Sequence, residues 1–303
     1  MSEHIAHVAV FEDCCRLGLH SGRLSPAFQT VLDRHWDFAR FGSTSRAGDR
    51  HSIALLRFCR ERWIQRQPGD LVEEKLAFVI GWRCHQAADR RFKPVYRALE
   101  PEHYAKRDAS SESSAPSQIR VLHDVVVFRE VYDSGRYAPF PKGLLDDRLN
   151  SLEGAQALDF DATFAAIGGV WQFTLQRQHP QTTLETAHKR FQRFYVDVQR
   201  YAEMLNNPDP ELMRRFIIEA NFYDRRDGLI AMARALQRNT KLPATTFDEA
   251  YRQAARQSQY AQALRMGLRY LFAASDFFEN KISEEETRKR FDLDKKHTDG
   301  GTF

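Results

Sequence analysis

Long apolar runs are missing from this 303-residue chain. No stretch comes near the roughly eighteen consecutive apolar residues that a membrane-spanning helix requires. The opening residues, MSEHIAHVAVFEDCC, lack a basic flank followed by an apolar run, so no secretory signal is expected and a cytoplasmic setting is. Cysteine is scarce: Cys14, Cys15, Cys59 and Cys84 are the only four. None forms a C-x-x-C pair, and all fall in apolar helical stretches. Buried free thiols are expected, rather than a disulfide framework. Glycine-rich phosphate loops of the G-x-G-x-x-G or Walker type are absent, which excludes nucleotide binding by those devices. A dominant charge is lacking too. The formal net charge is +4, mostly arginine dispersed along helices, so nucleic-acid binding has only weak support and solvated helix faces account for most of it.

What the sequence does have is helical periodicity nearly from end to end. Amphipathic segments are expected over 8–19, 26–41, 52–67, 71–96, 119–133, 160–178, 184–205, 210–223, 228–237 and 247–279. Breakers such as Ser21-Gly22, Pro68-Gly69, His179-Pro180 and Leu242-Pro243 separate them. Thr246 ahead of Phe247 and Asp248 has the form of an N-cap followed by an acidic first turn. The expected architecture is all-α, a multi-helical single domain over 1–290. A flexible Ser-rich loop at 106–118 divides a chemically rich half (1–135) from a helical C-terminal half (150–290), and a disordered tail closes the chain at 291–303.

Eight of the eleven histidines precede the midpoint, which directs attention to the first half. In LAFVIGWRCHQAADRRFKP, starting at Leu76, His85 and Asp89 stand one turn apart and project from one face. That face also carries Phe78, Gly81, Trp82, Ala88 and Phe92. A carboxylate on an apolar face is costly unless paired or bound to a metal; a buried His–Asp hydrogen bond is the simpler alternative. Gly81, one turn before His85, leaves room for something to approach. Asp37 and His51 flank a Gly/Ser-rich loop, a carboxylate and an imidazole that suit zinc, with Asp49 as a competing carboxylate. His7 shares the inward face of the first helix with Val10, Phe11 and Cys14, and His4 lies one turn earlier. His123 sits in VLHDVVVFREVYD, whose β-branched residues permit a strand but whose surroundings favour a helix; Glu130 follows on its face.

The order of these residues resembles the zinc-dependent phospholipase C and P1-type nuclease superfamily, an all-helical fold, over roughly residues 1–135. Its pattern is an early His (here His7), Asp then loop then His (Asp37, His51), His-x-x-x-Asp (His85, Asp89) and a last His (His123). The resemblance implies one metal on Asp37, His51, His85 and Asp89, and a second to which His7 and Asp89 contribute. His4 would replace the free N-terminal amine of secreted members. Two positions depart from the pattern. Lys93, before Pro94, stands where the family has His, and Val127 stands where it has Glu. The third metal position is therefore incomplete, with Glu130 or Asp124 as the available substitutes.

By this resemblance the protein would be a metal-dependent phosphoester hydrolase. One or two zinc ions (or iron or manganese) would activate a water, Asp37 would serve as ligand and base, and Lys93 and Arg90 would meet the phosphate. The alternatives are a metal-binding protein of the same fold without that activity, and an HD-type phosphohydrolase built on His123-Asp124. Substrate identity and oligomeric state are not legible in the sequence.

Overall fold

A computed structural model describes residues 4–43, 48–101, 118–137 and 209–293. The helices expected at 160–178 and 184–205, most of the 106–118 loop and the chain beyond 293 lie outside the described residues. Within them the protein is all-helical. In chain order the helices are α1 (His4–His20), α2 (Pro26–Arg34), α3 (Trp36–Ser43), α4 (Gly48–Arg62), α5 (Val72–Leu99), α6 (Gln118–Glu130), α7 (Pro210–Arg214), α8 (Gly228–Arg238), α9 (Phe247–Gln253), α10 (Gln259–Phe278) and α11 (Glu284–Arg290). A π-helical stretch, Arg215–Glu219, continues α7.

Helix α5 is the axis of the fold. At 1.5 Å per residue its 28 residues extend about 42 Å, and α1, α2, α3, α4, α6 and α10 all pack on it. From Lys75 to Arg90 every residue is buried, so the middle of α5 is enclosed on all sides, the property of a central helix rather than a surface one. Its buried charges are partnered: Arg83 donates to Ser52 Oγ at 2.7 Å, and Lys75 to the Asp70 carbonyl at 2.6 Å.

Several helix ends follow from local chemistry. Ser25 caps α2, with Pro26 at the first helical position. Thr246 and Glu249 form a reciprocal capping box on α9. The β-branched run around His123 is helical, as α6. Two expected helices are each divided. The 26–41 segment breaks at His35, which leaves helical geometry at φ −128°, ψ 38°; its Nε2 lies 3.0 Å from Glu73 at the start of α5. The 247–279 segment breaks at Gln257 and restarts behind Ser258, which caps Ala261 N–H. The 210–223 helix is shorter than expected and passes into the π stretch.

The expected tail is packed at its beginning. Phe291 and Asp292 are buried. The Arg83 guanidinium lies 4.4 Å over the Phe291 ring, and Asp292 accepts from Tyr270 at 3.0 Å. All four cysteines are free and buried. Among the described residues no helix is long and apolar enough to cross a membrane.

Candidate metal centre

The site is assembled where α1, α3 and α5 meet. Helix α1 supplies His7. Its N-terminus is held from α6: Asp124 Oδ1 accepts the Ala6 N–H at 2.8 Å, satisfying one of the amides that a first helical turn leaves without an internal partner. Helix α5 supplies His85, Asp89 and Lys93 at successive i, i+4 positions, hence in one row. Helix α3 contributes backbone. A side chain at Gly81 would overlap the Ala39 carbonyl, and one at Gly42 would overlap the Phe78 carbonyl. The two glycines thus let α3 and α5 touch backbone to backbone. The space expected at Gly81 is filled by helix α3.

That contact brings the Ser43 carbonyl within 2.8 Å of His85 Nδ1. A carbonyl only accepts, so Nδ1 carries the hydrogen, and the neutral ring has a bare lone pair on Nε2. His85 Nε2 lies 3.4 Å from Asp89 Oδ2, and His7 Nε2 lies 3.2 Å from Asp89 Oδ1. The two imidazoles stack with centroids 4.3 Å apart. One ligand atom from each of His7, His85 and Asp89 falls within 4.8 Å of the others, and all three residues are buried.

Electrostatics sharpen the picture. Burial pushes the Asp89 carboxyl up. The Lys93 ammonium and a hydrogen bond from His7 overrule it and hold the group well below the usual carboxylate range. Burial and the adjacent His7 push His85 down, against the opposing pull of Asp89. A neutral His85 thus faces an ionised Asp89, lone pair to lone pair, at 3.4 Å. Such a pair is held together by a positive centre between or beside the two. Lys93 provides one at present, its Nζ 2.6 Å from Asp89 Oδ2. The donor set, two imidazole nitrogens and a carboxylate, also fits a divalent metal of the zinc, iron or manganese kind. The Ser43 carbonyl is the type of outer partner that orients a metal-binding histidine.

The remaining expected site residues are distributed differently. Asp37 is largely exposed and pairs with Arg40 at 2.6 Å, outside the cluster; the break at His35 starts a new helix just before it. His123 is fully buried among aromatic rings, stacked on Tyr96 at 4.2 Å with the Tyr96 hydroxyl 3.2 Å from its Nδ1. Asp124, its neighbour, caps α1. Glu130 accepts from Arg225 through both carboxylate oxygens, at 3.1 and 2.9 Å. Arg90 donates to the Tyr270 hydroxyl and the Phe291 carbonyl, anchoring the C-terminal segment. None of these joins the metal-type group among the described residues. The side chains of His4 and His51, in α1 and α4, lie outside the described residues.

The Ser43 carbonyl escapes sequence reasoning because a backbone acceptor has no residue type. A second buried polar cluster was also missed. Glu12 and Asp13, consecutive on α1, are both buried. Asp13 accepts from Arg234 and, at 2.9 Å, from the Tyr260 hydroxyl. Glu12 accepts from Arg40 at 3.1 Å and Arg16 at 3.2 Å. Two adjacent acids on a mostly apolar helix were the available signal.

Comparison with known proteins gives no matching family model, no matching curated protein and no matching solved structure.

Proposed function

We propose that the protein is a metal-dependent phosphoester hydrolase of the phospholipase C and P1-type nuclease kind, whose metal is held by His7, His85 and Asp89. The observation that carries the reading is the convergence of their ligand atoms within 4.8 Å in a buried setting. Zinc is the first choice of metal, with iron and manganese compatible with the same donors. A metal bound there supplies an acidified water and screens phosphate charge. His7, His85 and Asp89 would hold the metal, a donor set of the kind found at zinc sites. His85 is oriented for coordination by the Ser43 carbonyl. Asp89 contributes the negative charge and bridges toward both imidazoles. Lys93, at the outer end of the row, is the group that meets a phosphate oxygen. Asp37 serves this reading as a base only after leaving Arg40, and His51 remains the further ligand that the family resemblance implies.

One observation favours a second reading. Lys93 already sets a full positive charge 2.6 Å from Asp89 Oδ2, where the resemblance places a neutral histidine. A protein that keeps the fold and a metal but has lost hydrolysis fits that substitution.

Elemental analysis of the purified, unchelated protein, with hydrolysis assays on p-nitrophenyl phosphate and bis-p-nitrophenyl phosphate, separates the readings. The hydrolase reading expects a stoichiometric transition metal and cleavage that a chelator stops. Stoichiometric metal without cleavage leaves the second reading, and no metal at all removes both.

A further inference from the structure

We infer that Arg23, Arg265 and Arg269, gathered around Tyr251 and Phe272, form a binding site for a small tetrahedral dianion of the phosphate type. The inference stands apart from the reading of His7, His85 and Asp89 as metal ligands.

Three distant segments build the site. Arg265, Arg269 and Phe272 stand at i, i+4 and i+7 on α10, hence in one row. Helix α9 lays Tyr251 against that row. Its ring centroid is 6.4 Å from that of Phe272, and the Arg265 guanidinium lies 5.3 Å from the Tyr251 centroid. Phe247, one turn before Tyr251, completes the aromatic patch, 6.0 Å from Tyr251 and 6.2 Å from Phe272. The connection between α1 and α2 adds Arg23, whose guanidinium lies 4.0 Å over the Phe272 ring.

Stacking occupies the face of a guanidinium and uses none of its N–H donors, which lie in its plane. Among the described residues no ion pair joins Arg23 or Arg265 to a carboxylate, and the buried Nε of Arg265 has no acceptor. Arg269 pairs with Asp292. Three guanidinium groups against one carboxylate leave an excess of two positive charges. Burial pushes the Tyr251 phenol up, while Arg265, Arg269 and Arg23 together pull it down, so all three charges bear on that ring. Like charges gathered this closely repel. A phosphate monoester carries close to two negative charges near neutrality, which matches the excess, and its oxygens accept from guanidinium edges. The aromatic rings already hold the Arg23 and Arg265 planes, so little side-chain freedom is left to lose on binding. Arg265 and Arg269 are half-buried behind the exposed Arg23, a recess suited to a small anion.

The test is calorimetric titration of the full-length protein with inorganic phosphate at low ionic strength. A chelator is present throughout, so that a metal centre takes no part in the result. Wild type, Arg23→Gln, Arg265→Gln and Arg265→Lys are compared, and acetate replaces phosphate in a parallel titration. Saturable phosphate binding by wild type is expected. Each Gln variant should weaken it by about tenfold, the loss of a charge-assisted hydrogen bond, and Arg265→Lys should fall between. Acetate, with one charge, should bind far more weakly. No saturable binding by wild type at millimolar phosphate overturns the inference. So does binding that both Gln variants keep unchanged, which would put the phosphate elsewhere. Acetate binding as tight as phosphate overturns it too, as unspecific attraction. Thermal melting of each variant reports that the fold is intact.

Discussion

Gly42 of α3 and Gly81 of α5 mark a crossing at which the two helices meet backbone to backbone, each glycine facing a carbonyl of the other helix. The Ser43 carbonyl that orients His85 is the next residue along. The geometry of the candidate centre therefore depends on two positions that carry no side chain.

Gly81→Ala tests this. In an open helix interior the change would stabilise by about 1 kcal/mol. Here the new Cβ overlaps the Ala39 carbonyl, and the separation of the helices is expected to cost about 3 kcal/mol. Urea denaturation measures the loss. A neutral or stabilising result would show that the helices slide apart freely.

His85→Ala removes one ligand and the partner of the Ser43 carbonyl. The metal content of the purified protein is expected to fall to background, and metal addition should no longer raise the melting temperature, because metal binding and folding stability are linked. Retention of stoichiometric metal would place the ion elsewhere.

Asp124→Ala separates the cap role of that residue from an HD-type metal role. Loss of the acceptor leaves the buried Ala6 N–H without it, at a cost of about 1–3 kcal/mol, while metal content stays at the wild-type level. An HD-type centre would instead lose its metal, which elemental analysis reads directly.

Glu73 gives a pH signature. Burial pushes its carboxyl up, but hydrogen bonds from His35 and Arg66 and the charges of Arg66 and Arg34 win, so it stays below the ordinary carboxylate range. A folded-state value below the unfolded one means stability that is fully present above the unfolded value, about 4.3 for Glu, and is lost as pH falls through the folded value. Glu73→Gln is therefore expected to cost at most about 1 kcal/mol at pH 7, since solvent screens the group. The cost should shrink toward zero in strong acid. Melting curves at pH 7, 5 and 3 check this; a cost that persists at the acid end would assign the loss to packing.

Much of this was legible from periodicity. The helical class, the shared face of His85 and Asp89, and the inward direction of His7 all follow from local spacing. What was not legible is long-range or belongs to the backbone. The separation of 82 residues between His7 and Asp89 carries no spacing rule, and the family resemblance alone joined them. The breaks at His35 and Ser258 interrupt otherwise continuous apolar patterns, because tertiary partners (Glu73 for His35, Asp227 for Ser258) outweigh helix continuation. The phosphate contact expected of Lys93 has a competing partner in the Asp89 carboxylate, one turn back and 2.6 Å away.

The Asp13 cluster bears on whether the chain can be divided. The residues of the candidate centre all precede residue 100, which invites excising the first 137 residues as a compact fragment. Such a fragment would carry Asp13 into the interior without Arg234 or Tyr260. Asp13 would keep only the longer contact from the partly exposed Arg16, at 3.5 Å, and removing one member of a buried charge pair costs about 3–5 kcal/mol. Excision is thus expected to destabilise the chemically rich half, because Arg234 and Tyr260 of the distant C-terminal helices satisfy a buried carboxylate on the helix that presents His7.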